Sequence, residues 1–292
     1  MDLNLKKSLK GIYSKVWDNY EKFLIIPIIL ISITGFLLVS NYSQRGEFIS
    51  KGIDFTGGTE ITIPLEAQEE KTLVNVFSER FANLNVRTMS SGEENWVVFE
   101  TTERLNQTEV EQTLQENDIN ASGISTRSLG AAVSESFLRE AQIAVLVAFI
   151  IMSIVIFIAF RSLVPSLAVI LSAFTDIFVT IGGMSLFGID LTLGSLAALL
   201  MLVGYSVDTD ILLSTRLIKR RSGSLKQRNL SAMKTGLTFS IASLTAFTVL
   251  LLVSTSSTLD AIASVLIIGL LVDIPSTWSQ NSIILKNHLS KK

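Results

Sequence analysis

Six runs of mostly apolar residues dominate this 292-residue chain, each close to the twenty or so that a helix needs to cross about 30 Å of hydrocarbon. Inside lipid only helices and closed barrels satisfy their own backbone groups, and runs of this length specify helices. The spans are expected at roughly 23–40, 141–160, 165–187, 193–217, 234–254 and 259–284, each bounded by charge, Pro, Gly or a polar cluster. The fold class that follows is an α-helical polytopic membrane protein with the lipid bilayer as its solvent.

Lys and Arg in the short flanks set the expected orientation. Lys6, Lys7, Lys10, Lys15 and Lys22 precede span 1, and Arg161 lies between spans 2 and 3. Lys219, Arg220, Arg221, Lys226 and Arg228 lie between spans 4 and 5, and Lys286, Lys291 and Lys292 follow span 6. The loops at 188–192 and 255–258 carry neither Lys nor Arg. The alternation places both termini in the cytoplasm and residues 41–140 outside the cytoplasmic membrane. Residues 1–22 read as an amphipathic cytoplasmic segment, with Leu5, Leu9, Ile12, Val16 and Tyr20 at helical spacing. No small-residue cleavage site follows the first apolar run, so it is expected to stay as a span. Residues 285–292 are the expected cytoplasmic tail.

The insert between spans 1 and 2 is of a different kind. Residues 41–140 hold 17 acidic and 8 basic residues, so it is a strongly acidic, water-facing domain. Its pattern reads strand (61–63), helix (68–83), strands (84–90 and 95–102) joined by a turn at 91–94, helix (106–117) and strand (119–127). The order β-α-β-β-α-β is the ferredoxin-like α+β arrangement. Its carboxylates are expected on solvated faces, and no catalytic constellation emerges. Cysteine is absent and His288 is the one histidine, which argues against thiol chemistry, Cys/His metal sites and a Ser-His-Asp triad. No basic stripe with interleaved aromatics points to nucleic acid. No cofactor is implied.

Four aspartates fall inside the apolar spans: Asp176, Asp208, Asp210 and Asp273. A carboxylate at bilayer depth is costly and by default marks an ion or proton path. Asp208 and Asp210 are two positions apart, about 200° around a helix, so one faces the bundle interior and the other faces a second subunit or the interface. Asp208 is the deeper and is favoured for the proton role. Lys234 opens span 5 within reach of span 4. Asp273 precedes Pro275, which frees a backbone carbonyl one turn earlier, a local break suited to a gate or relay. Asp260 is expected only to start a helix. Gly182, Gly183, Gly194 and Gly204 are expected to permit close helix approach.

Residues 52–59 read Gly-Ile-Asp-Phe-Thr-Gly-Gly-Thr, without the Lys-Ser/Thr of a phosphate loop. On Gly52, Asp54, Phe55, Gly57 and Gly58 the chain resembles the SecF branch of the SecD/SecF protein-export family, within the resistance-nodulation-division superfamily. Further likenesses are Leu129-Gly130 ahead of span 2, Thr175-Asp176 in span 3, Gly204-Tyr205-Ser206-Val207-Asp208 followed by Arg216 in span 4, and Lys234-Thr235 in span 5. Asp208-Thr209-Asp210 and Asp273-Ile274-Pro275 depart from the bacterial pattern and are closer to the archaeal branch. The resemblance implies a SecD-like partner subunit, a SecY-type translocation channel, an emerging secretory polypeptide as substrate, and use of the proton or ion motive force in protein translocation.

Two other readings are weaker. A small-molecule exporter of the same superfamily normally needs larger or paired external domains. An intramembrane aspartyl protease would need two facing carboxylates and a Gly-x-Gly-Asp pattern, whereas Asp273 follows Leu271-Val272.

Overall fold

The computed structural model of the chain describes residues 19–65, 70–81, 84–91, 94–117, 119, 123–220, 222–254 and 256–290. Positions 1–18 of the expected amphipathic segment, Gly92 and Glu93 of the expected turn, and Lys291 and Lys292 lie outside the described residues.

Among the described residues, six helices are long and apolar enough to cross a membrane: span 1 (Tyr20–Arg45), span 2 (Ala131–Phe160), span 3 (Leu163–Leu186), span 4 (Leu193–Ile218), span 5 (Leu225–Val253) and span 6 (Ser257–Ser290). At 1.5 Å per residue, their 24 to 34 residues correspond to about 36–51 Å. Three begin or end beyond the apolar runs that announced them. Span 2 starts at Ala131, so residues 131–140 belong to its helix and not to the insert; Glu135, Arg139 and Glu140 dilute the apolar pattern without breaking a helix. Span 5 starts at Leu225, where the Ser224 hydroxyl accepts the Gln227 N–H at 3.3 Å in a capping box. Span 6 runs past Pro275 to Ser290, through the stretch expected to be tail.

Spans 3, 4 and 6 form the centre, and spans 2 and 5 leave nearly all of their apolar surface outward. Met184, Leu202 and Leu266 pack where the three central helices meet. A Cβ on Gly269 would strike Leu202, and one on Gly182 would strike Thr34 of span 1. These small residues let the helices approach without a hydrophobic drive between them. Gly204 differs from the expectation: among the described residues nothing lies within 4 Å of the Cβ it lacks, and it is exposed.

The insert is a four-stranded antiparallel sheet of β1 (Gly58–Pro64), β2 (Asn85–Ser91), β3 (Glu94–Thr101) and β4 (Ser125–Leu129), with α1 (Glu70–Arg80) and α2 (Gln107–Glu116) on one face. The spatial order β2-β3-β1-β4 is that of the ferredoxin-like arrangement. Ile61 sits opposite Phe99 on one side and Thr126 on the other. Alternation sends Ile61, Ile63, Val97 and Phe99 into the core with Leu73, Phe77 and Leu114 of the helices. Phe77 stacks on Phe99 with ring centroids 4.4 Å apart. The opposite face of the sheet carries Glu60, Glu100, Arg87 and Arg127. It rests on the ends of spans 4 and 6, so Glu100, expected in solvent, is buried.

Candidate functional site: a carboxylate network below a polar junction

Asp176 of span 3, Asp210 of span 4 and Asp273 of span 6 are all fully buried and linked by hydroxyls. Ser206 Oγ donates to Asp176 Oδ2 at 2.5 Å, and Ser276 Oγ donates to Asp176 Oδ1. Thr209 Oγ1 lies 3.3 and 3.1 Å from the two Asp273 oxygens. Thr277 Oγ1 stands between two aspartates, 2.9 Å from Asp210 Oδ1 and 3.0 Å from Asp273 Oδ1. A hydroxyl has one proton, so Thr277 serves one of them at a time. Asn281 Nδ2 donates to Asp210 Oδ1 at 2.7 Å.

The local cause is the segment Ser276–Asn281. Pro275 lacks an N–H, and the helix continues beyond it as a π-helical turn in which all six residues are buried. The wider turn brings Ser276, Thr277, Gln280 and Asn281 toward spans 3 and 4. Gln280 Nε2 reaches Thr175 Oγ1 at 3.2 Å. Pro275 thus produces a broadened, polar, continuous helix.

Among the described residues, no Lys, Arg or His forms an ion pair with any of the three aspartates. Three uncompensated charges inside low-dielectric protein carry a prohibitive desolvation cost. The donors the structure offers them are the hydroxyls of Ser206, Thr209, Ser276 and Thr277 and the amide of Asn281.

The structure divides the sequence candidates. Asp210, Asp176 and Asp273 come together. Asp208 does not: it is exposed on the opposite face of span 4, so the interior position expected for it belongs to Asp210. The two-residue offset explains the exchange, because Val207 and Asp210 share the face that packs inward. Lys234 is also exposed and does not join the network; Arg216 ties span 4 to span 5 by donating to the Ser231 carbonyl at 2.9 Å. Tyr205 packs edge-on against Phe247 of span 5, with centroids 5.8 Å apart. Asp260 lies in the first turn of span 6.

The glycine-rich segment makes the junction between the sheet and the spans. Gly52 N–H donates to Leu191 O at 2.9 Å and Leu191 N–H to Ser50 O at 2.8 Å, pairing this segment with the loop before span 4. Asp54 is buried; its Oδ2 accepts the Leu193 N–H at 2.8 Å and its Oδ1 pairs with Arg127 Nη2 of β4 at 2.6 Å. Ser134 Oγ of span 2 donates to Ile53 O at 3.1 Å, and Phe55 is buried beside it. Gly57, at φ +77°, lies against the backbone of Ala131, and Gly58, at φ +128°, lies against the Thr101 carbonyl. Neither position accepts a side chain.

Beside this clamp, Arg87 of β2 contacts Glu100 of β3 and lies 3.3 Å from Asp190 Oδ2 in the loop before span 4. Burial pushes Glu100 up to about 7, against the nearby Arg87 guanidinium and with Asp190 and Glu60 adding repulsion. Burial also raises Asp190, opposed by Arg87 and Arg45. Ser257 Oγ, at the start of span 6, donates to Glu60 Oε1 at 3.4 Å.

Residues 109–291 match the family described as protein export membrane protein SecD/SecF, C-terminal, and residues 49–69 match the SecD/SecF GG motif. The chain belongs to the SecD/SecF family of protein-export membrane proteins. The protein-export membrane protein SecF of Methanothermobacter thermautotrophicus is 39% identical over 282 residues, covering 94% of each chain. That of Methanocaldococcus jannaschii is 38% identical, covering 94% of this chain and 97% of its own. The fold is that of the crystal structure of SecDF, a translocon-associated membrane protein from Thermus thermophilus, with a TM-score of 0.74 at 22% identity. The likeness covers 92% of this chain and 37% of that one. The SecD/SecF GG motif coincides with the clamp around Asp54, which gives this family signature a physical meaning: it joins the sheet domain, span 2 and the start of span 4.

Ser206, Thr209, Ser276, Thr277, Gln280 and Asn281 were not among the sequence candidates. For the last four the signal is Ser276-Thr277-Trp278-Ser279-Gln280-Asn281, a polar run inside an apolar span directly after a proline; Ser206 and Thr209 stand beside the span-4 aspartates.

Proposed function

We propose that this Sec-pathway membrane subunit is the SecF-like half of a SecD–SecF assembly, and that it uses the proton or ion motive force to assist polypeptide export beside a SecY-type channel. The observation that carries the reading is the base-free network of Asp176, Asp210 and Asp273, which requires a mobile cation to stay buried. A second observation gives that cation something to act on. Span 4 carries Asp210 about 25 Å from its N-terminus, and that N-terminus is held by Asp54 under the sheet. Span 6 carries Asp273 and begins at the Ser257–Glu60 contact. A relative shift of spans 4 and 6 on loading or unloading the network tilts the sheet resting on both. One charge crossing 100 mV supplies about 2.3 kcal/mol, so a few cations are enough to drive such a motion.

In this reading the acidic insert lies outside the membrane, both termini are cytoplasmic, and the insert meets the emerging polypeptide. The exposed Asp208 and Gly204 mark the face of span 4 covered by the SecD-like subunit, since a bare carboxylate in hydrocarbon is costly. The test is export of a secreted reporter with and without the gradient, in cells carrying Asp176→Asn, Asp210→Asn or Asp273→Asn at normal protein level. Loss of the gradient-dependent component supports the reading, and full export in all three removes it.

A further inference from the structure

The π-helical turn Ser276–Asn281 is tied to a residue from the other end of the chain. In an α-helix the Ser282 N–H would go to the Trp278 carbonyl, four residues back. Here it goes to Thr277 O and Ser279 O. The Trp278 carbonyl instead receives the hydroxyl proton of Tyr20. Tyr20 begins the tight 3₁₀ turn Tyr20–Leu24 that opens span 1, and both Tyr20 and Trp278 are buried. The Tyr20 hydroxyl also meets the side chains of Ser282 and Asn229, and Asn229 Nδ2 of span 5 donates to Ser282 Oγ at 2.7 Å. The Trp278 indole lies on Gly236 of span 5, where a Cβ would strike the ring. Lys286 Nζ stands 5.8 Å from the centre of the Tyr20 ring.

The π-helix is rare and occurs mostly as single turns inside α-helices, so contacts from outside the helix decide whether such a turn persists. Slipping the segment by one residue into the α register rotates everything after it by about 100°. That rotation would carry Asn281 off Asp210 and Ser282 off Asn229. We propose that Tyr20 is a positioning residue for the carboxylate network: its hydroxyl satisfies the Trp278 carbonyl, favours the π register over the α register, and so keeps Thr277 and Asn281 on Asp210. Tyr20 acts through the backbone of the turn. It makes the entry of span 1 part of the site, although span 1 supplies none of the three aspartates. The consequence for export rests on the reading that the network serves export; the hold on the register does not.

The test uses the full chain in lipid nanodiscs with Trp17→Phe and Trp96→Phe, which leaves Trp278 as the one tryptophan, labelled as 5-fluorotryptophan. Tyr20→Phe removes the hydroxyl and keeps the ring, so a role in packing alone leaves the turn unchanged. The fluorine resonance is expected to shift in Tyr20→Phe. Backbone hydrogen exchange over residues 277–283 is expected to quicken about two- to tenfold, the effect of one lost hydrogen bond. Tyr42→Phe, near the other end of span 1, is expected to change neither. An unshifted resonance with unchanged exchange in Tyr20→Phe overturns the proposal. Should Tyr20→Phe fail to accumulate, carbon-13 transfer between the Trp278 carbonyl and the hydroxyl-bearing ring carbon of Tyr20 decides in the single-tryptophan chain: transfer is expected, and its absence overturns the contact. In cells, Tyr20→Phe at normal protein level is expected to lower gradient-dependent reporter export about two- to tenfold. The two readings fail separately. Unchanged exchange in Tyr20→Phe, with export lost in Asp210→Asn, removes the role of Tyr20 and leaves the network reading standing. Faster exchange in Tyr20→Phe, with normal export in Asp210→Asn, leaves the hold on the turn standing and removes the network reading.

Discussion

Asp54 caps the backbone of Leu193, holding the first turn of span 4 while its other oxygen holds Arg127 of the sheet. One buried carboxylate thus fixes the helix that carries Asp210 to the domain outside the spans. The helix N-terminus, with its unpaired N–H groups and positive dipole end, is where a carboxylate is most stable.

Asp54→Ala removes both contacts. Hydrogen bonds to charged groups contribute about 1.5–3 kcal/mol, and the half-exposed Arg127 places the loss toward the lower end. The expected result is a full chain destabilised by about 2 kcal/mol in chemical denaturation, with faster tryptic cleavage at Arg127. Unchanged denaturation and cleavage would show that the clamp is held by Gly52 and Leu191 alone.

Gly58→Ala and Gly204→Ala are expected to behave oppositely. At Gly58 a Cβ meets the Thr101 carbonyl in a backbone region closed to side chains, so membrane accumulation falls sharply. At Gly204 it meets open space, so the isolated chain keeps its stability. If the SecD-like subunit covers that face, Gly204→Ala lowers co-purification of the partner without lowering accumulation.

Contact between sheet and spans should weaken as the pH around the sheet rises. Glu100 titrates at about 7 when buried in the junction and at 4.5 ordinarily. The junction therefore holds a proton that a separated sheet releases. Its contribution is complete below about 4.5, declines through about 7 and is flat above, with a total on the order of 3 kcal/mol. Asp190 is shifted in the same direction and reinforces the trend. Hydrogen exchange of the 188–193 backbone, corrected for its intrinsic pH dependence, should quicken across this window in the natural chain. In Glu100→Gln the dependence should be largely abolished.

Thr277→Val keeps the shape of the side chain but removes the hydroxyl between Asp210 and Asp273. Gradient-dependent reporter export is expected to fall at least about tenfold, the effect of one lost buried hydrogen bond to a charged group. Accumulation should be near normal, and Thr277→Ser should restore export. Equal export in the Val and Ser variants would mean that Thr277 only packs.

Much of this architecture is legible in the residues. Apolar runs mark the six helices, alternation marks the sheet, and Gly52 to Gly58 carries the family signature. Three features are not. The start of span 2 is hidden because Glu135 and Arg139 interrupt an apolar pattern without interrupting a helix. Glu100 reads as solvated because alternation separates the faces of a sheet without saying what each face rests on. The inward face of span 4 is misread by two residues: depth along the run favours Asp208, while the packing of Leu202, Ser206 and Leu213 turns Asp210 inward. Rotation of a helix is set by its neighbours, and here the neighbour is the polar π-helical turn after Pro275.

The most direct measurement is cation flux in proteoliposomes containing the chain with its SecD-like partner, under an imposed gradient and with dyes for internal pH and sodium. The account predicts gradient-driven entry in the unaltered assembly and its loss in Asp210→Asn, with Asp260→Asn behaving as the unaltered assembly does. Equal flux in Asp210→Asn and the unaltered assembly would contradict a path through the buried network.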